Sequence, residues 1–198
     1  MANIASAPGL LLGWVLTHDL PIPDCHETAT ARALALGADV LWFVEEDTIP
    51  PPDTLARSLE AIERDPIVAL DYPVGEHPSW ACIARDSQGH IYWCGLGATL
   101  IRRGVFEAIE RPWFRSDVTY AIRPGADGRK QLVEMDRASE YGGQDIYFFR
   151  RALAAGFTIG QVPGVAGHAH LRALGTPKNN NGAHSIEVLT DIQREQFV

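Results

Sequence analysis

Apolar positions in this chain gather into short unbroken runs, and these runs alternate with segments of helical period. Residues 10–16 form the first run, closed by the polar Thr17-His18-Asp19, which predicts a buried strand. Pro21 and Pro23 then predict a loop. Residues 27–36 are rich in Ala and Leu, lack Gly and Pro, and are followed at once by Gly37, which predicts a helix with a C-terminal stop. Val40–Val44 predicts a second buried strand. Pro50-Pro51-Pro52-Asp53 opens a helix with Leu55, Leu59 and Ile62 at i, i+4 and i+7, the stripe of one buried face. A third strand is predicted over residues 67–70. Strands alternating with helices predict an α/β protein whose sheet carries helices on its faces.

The middle of the chain has another character. Residues 81–84 and 91–93 flank the turn-rich Asp86-Ser87-Gln88-Gly89, as expected for a hairpin. Residues 98–101 predict a strand that runs into a short helix near 105–109. Between Trp113 and Gly143 the pattern dissolves, and Pro124-Gly125-Ala126-Asp127-Gly128 marks a loop tip. A last helix is predicted over residues 144–155, halted at Gly156, with a strand near 158–161. The chain has no internal repeat. The expected organisation is one domain over residues 1–171 and a polar tail, 172–198, that packs on or near the functional site.

Composition narrows the class. With 198 residues and 46% hydrophobic side chains, the chain can bury a core without disulfides or a structural metal. Its three cysteines, Cys25, Cys82 and Cys94, are odd in number and form no C-x-x-C pair, which predicts a reducing, cytoplasmic setting. The run at 10–16 is too short to span a bilayer and has no basic residues before it, so neither an anchor nor a signal peptide is expected.

The net charge of −8 is unevenly spread: residues 1–101 carry 4 Lys+Arg against 14 Asp+Glu, and residues 102–198 carry 13 against 11. Overall acidity argues against tight non-specific nucleic-acid binding. Arg102, Arg103, Arg111, Arg115, Arg123, Arg129 and Lys130 are read first as a solvated face, with an anionic acceptor as the sharper alternative.

Three constellations can carry chemistry. Glu45-Glu46-Asp47 ends the apolar strand Val40–Val44, where ligands gather in an open α/β sheet and where carboxylates can face one hard cation. Gly142-Gly143-Gln144-Asp145 enters the last predicted helix. Paired glycines let the backbone approach a ligand, and a carboxylate in the first helical turn suits a general base. Gly167-His168-Ala169-His170 supplies imidazole, a good ligand for first-row metals, and alternate residues of an extended segment point to opposite sides. His184 is a weaker candidate of the same kind.

In that order, these segments resemble the GT-A glycosyltransferases, particularly the bacterial and phage members of family 2. GADVLWFVEEDTIPPPDTL from Gly37 is similar to that group's strand with its D-x-D motif, and GLGATLIRRGVFEAIERPWF from Gly95 to its acceptor-side strand and helix. GGQDIYFFRRALAAGF from Gly142 resembles its E-D helix, and GVAGHAHL from Gly164 its terminal metal-binding histidine. The resemblance implies a single-domain GT-A, Rossmann-like mixed sheet flanked by helices. It implies Mn²⁺ or Mg²⁺ held by Asp47 and His168 (alternates His170 and His184), with Glu45 near the metal or the donor ribose. Glu46 and His26 fall in the implied donor region, and Asp145 is the implied base that deprotonates the acceptor.

Gly143, Gln144 and Trp113 are the acceptor-side candidates. Of the aromatics Trp80, Trp93, Trp113 and Phe114, Trp93 is read as core. Glu45 stands where the family more often has Asp, and Gln144 where it often has Glu, so a negative acceptor-binding role is closed to position 144.

The expected activity is therefore metal-dependent, inverting transfer of a sugar from a UDP- or GDP-sugar to an acceptor hydroxyl. A glycan, a protein and a hydroxymethylated base in phage DNA all remain open as acceptors. Two rivals stand beside it: a catalytically silent nucleotide-sugar or glycan binding module, and a nucleotidyltransferase. The second lacks a Gly-rich phosphate loop with Lys near the first strand.

Overall fold

The structure is a computed structural model that describes residues 13–45, 48–72, 82–135, 141–168, 170–173 and 186–189. Its centre is a four-stranded mixed sheet. Strands β1 (Val40–Val44), β3 (Ile67–Asp71), β6 (Ala98–Arg102) and β10 (Ile159–Val165) lie in the order β1-β6-β3-β10. β6 is antiparallel to both β1 and β3, and β10 is parallel to β3, so β1, β3 and β10 all end at the same edge. This is an α/β fold with helices against a mixed sheet.

β3 shows why a continuous apolar run was needed. Ile67 and Ala69 face one hydrophobic cluster, with Leu41, Ile101, Phe106, Phe148 and Phe149. Val68 and Leu70 face the other, with Leu55, Ile62, Leu100 and Val162. Successive strand residues point to opposite faces, and here both faces are covered. Ile67, Val68 and Leu70 are fully buried, each contributing about 1.5–3 kcal/mol.

Helix α1 (Asp24–Ala35) begins three residues before the expected start, with Asp24 and Glu27 in its first turn, where a helix dipole favours carboxylates. It stops where Gly37 takes the left-handed conformation, φ 83°. Helix α2 (Thr54–Ala61) buries Leu55 and Ala61, with Ile62 buried at its cap and Leu59 packed beside them, as the stripe predicts. The hairpin is β4 (Ile83–Arg85) with β5 (Ile91–Cys94), closed by Asp86, whose Oδ1 accepts the Gln88 and His90 amides at 2.9 Å each. Helix α3 (Arg103–Ala108) follows β6 directly. Helix α4 (Gln144–Ala154) is inserted before β10 and ends one residue short of expectation.

Two expectations are corrected. The described part of the first apolar run, residues 13–16, is not a strand. Trp14 is 69% exposed and Leu16 78% exposed, lying against the C-terminal end of α1 instead of within the sheet. The stretch after Trp113 does not dissolve. Strands β7 (Thr119–Pro124), β8 (Lys130–Met135) and β9 (Tyr141–Gly142) form a small antiparallel sheet in the order β8-β7-β9, and the expected loop tip is its hairpin turn. Gly125 and Gly128 close that turn, the Gly128 amide donating to the Gly125 carbonyl at 3.0 Å.

None of the three cysteines is in a disulfide, and Cys82 and Cys94 are buried. Among the described residues no helix is long and apolar enough to cross a membrane.

Candidate functional site

The sheet edge where β1, β3 and β10 end carries the described donor-side candidates Glu45 and His26. Glu45 follows β1, and its amide donates to the Gly97 carbonyl at 3.2 Å. The chain turns back immediately. The Thr48 amide donates to the Glu45 carbonyl at 3.1 Å, and β2 (Thr48–Ile49) begins. β2 pairs with β11 (Gly167–His168) in the register His168↔Thr48. The fold thus brings the backbone of the terminal histidine beside the residue that follows Asp47, across about 120 residues of sequence.

Glu46, Asp47, His184 and Trp80 lie outside the described residues. His168, and His170 in β12 (His170–Ala173), are described through their backbone alone, and β12 pairs with β13 (Ile186–Leu189), not with β2. Among the described residues no group of three His, Cys, Asp or Glu side chains is placed to hold a metal ion. At this turn the Thr48 hydroxyl is buried with no hydrogen-bond partner among the described residues.

His26, on α1, reaches the same end of the sheet. Its Nε2 is 3.8 Å from Glu45 Oε1, and its ring lies 5.9 Å from Phe43 and 5.5 Å from Phe114, centroid to centroid. That separation is an ion-pair distance when the imidazole is protonated and too long for a hydrogen bond. The fold thus brings His26 and Glu45 together at this end of the sheet.

Asp145 occupies the first turn of α4, with Gly143 at its N-cap and Gln144 as the first helical residue. Asp145 Oδ1 accepts the Ile146 amide at 2.7 Å. Burial pushes the carboxyl up to about 6, against the downward pull of the Ile146 amide and its own. The Gly143 position leaves it room: a Cβ there would stand 2.7 Å from Asp145 Oδ1.

Tyr72 went unnoticed in the sequence. It follows β3, is 6% exposed, and its hydroxyl accepts the Gly97 amide at 3.1 Å. Burial pushes its phenol up, and the nearby Cys82 thiol and the Glu45 and Asp145 carboxylates push it further. Both candidate carboxylates thus bear electrostatically on this phenol. Gly95 and Gly97, two residues apart in the turn before β6, were the one hint available, since a Cβ on either would run into the Tyr72 ring or hydroxyl.

Trp113 is corrected. It is 7% exposed, and its indole N–H is shared between the Phe106 carbonyl at 2.9 Å and the Ile109 carbonyl at 3.1 Å, so it belongs to the core and offers no face to an acceptor. Phe114 is buried as well, stacked on Phe148. Trp93 packs against the core, as expected.

Four of the seven basic residues singled out in the sequence form close, separate ion pairs at the surface. Arg102 meets Glu63 at 2.8 Å, Arg103 Glu107 at 2.6 Å, Arg111 Glu27 at 2.7 Å and Arg115 Asp117 at 2.7 Å. Local carboxylates neutralise these charges and leave little for a polyanion. The cavity lined by Trp14, Val15, Leu16, Arg32, Ala35 and Leu36 lies at the opposite end of α1 from His26 and contains none of the candidates.

No protein-family model matches the chain, and no curated protein sequence matches it. The fold is similar to the crystal structure of A197 from STIV, with a TM-score of 0.53 and 21% sequence identity over 80% of this chain and 72% of that one. At that identity the likeness concerns the fold alone.

Proposed function

We propose that this chain is a metal-dependent glycosyltransferase that moves a sugar, with inversion, from a UDP- or GDP-sugar to an acceptor hydroxyl. The observation that carries the reading is that Glu45, at the end of β1, lies 3.8 Å from His26 and next to β2, which pairs with the β11 strand of His168. Ligands bind at the carboxyl ends of strands in sheets of this kind. Glu45 and Asp145, carried by different elements, suit two tasks.

On the donor side, Glu45 and Asp47 present oxygen ligands and His168 an imidazole, with His26 next to Glu45. A bound Mn²⁺ or Mg²⁺ supplies Lewis acidity that offsets charge on the departing nucleoside diphosphate. On the acceptor side, Asp145 takes the proton from the attacking hydroxyl. A carboxyl near 6 is ionised at neutral pH yet more basic than an exposed one, as a general base requires. Direct attack by that hydroxyl inverts the anomeric carbon. Gln144 and Gly143 line the approach as a neutral side chain and an open backbone.

Calorimetric titration of the protein with UDP and with GDP, each with Mn²⁺ and with excess chelator, tests the donor side, with Asp47→Ala as control. Metal-dependent binding of one nucleotide, lost in the variant, is expected and selects the donor for an acceptor screen over glycans, proteins and hydroxymethylated DNA. A folded wild-type protein that binds neither nucleotide sinks the reading.

A further inference from the structure

Tyr72 has no part in the donor and base assignments, yet a short chain of contacts leads from its hydroxyl to the donor-side turn. The Gly97 amide donates to Tyr72 Oη at 3.1 Å, the Glu45 amide donates to the Gly97 carbonyl at 3.2 Å, and the Thr48 amide donates to the Glu45 carbonyl at 3.1 Å. One residue, Gly97, thus ties the end of β3 to the end of β1.

Steric fit repeats the message. A Cβ on Gly97 would stand 2.7 Å from Thr48 Oγ1 and 2.8 Å from Tyr72 Oη, and one on Gly95 would overlap the Tyr72 hydroxyl. Such separations are far inside van der Waals contact, so Tyr72, Gly97 and Thr48 occupy their places only because the glycines have no side chains.

The backbone on either side is held independently of that hydroxyl. Asp71 Oδ1 accepts the Tyr72 and Cys82 amides at 3.0 Å each, and Thr99 Oγ1 donates to the Gly95 carbonyl at 2.7 Å. The β3–β6 ladder, Ile67↔Ile101 through Ala69↔Thr99, stops short of the turn. Nothing in the sheet's own pairing needs the phenol oxygen. Its acceptance of the Gly97 amide reaches the residue whose carbonyl holds the Glu45 amide, at the turn that presents Glu45.

We propose that Tyr72 is a positioning residue for donor binding, its hydroxyl holding the Gly97 peptide and through it Glu45 and Thr48 at the ends of the acidic turn. The inference rests on the glycosyl-transfer reading and adds to it the residue that sets the turn's geometry. An unpaired Gly97 amide would let the turn relax, and a cation site loses affinity when its ligands lose their fixed spacing.

The test compares wild type, Tyr72→Phe and Ile101→Val by calorimetry with UDP and GDP, with Mn²⁺ and with chelator, at a temperature where circular dichroism shows all three folded. Ile101 is buried in β6 away from the turn, so Ile101→Val reports mild destabilisation alone. Tyr72→Phe is expected to lose roughly three- to tenfold in Mn²⁺-dependent nucleotide affinity, while Ile101→Val binds as wild type. Gly97→Ala, acting on the same link from the other side, is expected to lose more. Wild-type affinity in Tyr72→Phe overturns the positioning role and leaves the glycosyl-transfer reading intact. Equal losses in Tyr72→Phe and Ile101→Val overturn it too, as a mere stability effect. Absence of metal-dependent binding in wild type removes both.

Discussion

Gly143 and Asp145 are fitted to each other: a Cβ on the glycine would sit 2.7 Å from the Oδ1 that accepts the Ile146 amide. Gly143→Ala therefore presses on the carboxylate without touching the core. The expected outcome is a fall in transfer rate of roughly 10- to 100-fold, as misplacement of a reacting group by a fraction of an ångström to an ångström produces, with metal-dependent nucleotide binding kept. Single-turnover assays beside a melting curve check it, and a variant as active as wild type would show that Asp145 is not the base.

The raised carboxyl of Asp145 has a consequence for stability. The folded form holds its proton up to about pH 6, while the free side chain releases it near 3.8. Between those values folding takes up a proton, so stability falls as pH rises, and the cost is fully present above about pH 6. Asp145→Asn removes it and still accepts the Ile146 amide. It should be more stable than wild type at pH 8 by about 1–3 kcal/mol, with the difference vanishing below about pH 4. It should also abolish transfer while sparing donor binding, and wild-type turnover should decline below about pH 6. Urea melts at the two pH values decide the first point; a constant difference between them would contradict a buried, raised carboxyl.

Backbone pairing separates the two histidines that spacing left equivalent. β11 puts His168 opposite Thr48, whereas His170 belongs to a strand paired elsewhere. Loss of Mn²⁺ affinity should be at least about tenfold for His168→Ala, the usual scale for removing a ligand or its support, and small for His170→Ala. The reverse order, measured by Mn²⁺ titration, would exchange their roles.

Trp113→Phe tests a residue the sequence placed at the acceptor and the fold placed in the core. It leaves the Phe106 and Ile109 carbonyls without the indole N–H and trims a buried ring, at a cost of about 1–3 kcal/mol. A lowered melting temperature with unchanged acceptor KM is the expected pair of results; a raised KM without destabilisation would return Trp113 to the acceptor site.

Segments whose environment matched a simple rule were legible. β1 needed only an unbroken apolar run, α1 its Gly37 stop, and α2 its stripe at Leu55, Leu59 and Ile62. β7 and β8 escaped because Arg123, Lys130, Gln131 and Glu134 dilute their apolar positions and Pro124 ends the first of them, so only the turn between them stood out. Residues 10–16 read as a strand by hydrophobicity, but a strand also needs a partner, and the described part lies against a helix end.

In the proposed site, Glu45 and Asp145 could be found by residue type and position along the chain. Tyr72 could not, because the role proposed for it comes from a contact with Gly97, 25 residues away. The aromatic at 113 misled because an indole with both hydrogen bonds satisfied inside the protein looks, in sequence, the same as one waiting for a sugar.

The pairing of β2 with β11 gives the molecule a built-in test of its own completion. Thr48 acquires its strand partner only when the chain has been laid down as far as residue 168, long after β1 and β6 have what they need to pair. A nascent or nicked chain lacking β11 would keep its central ladder and much of its core while the acidic turn lacked its neighbour. On the glycosyl-transfer reading, nucleotide binding would then report on whether the whole domain had closed.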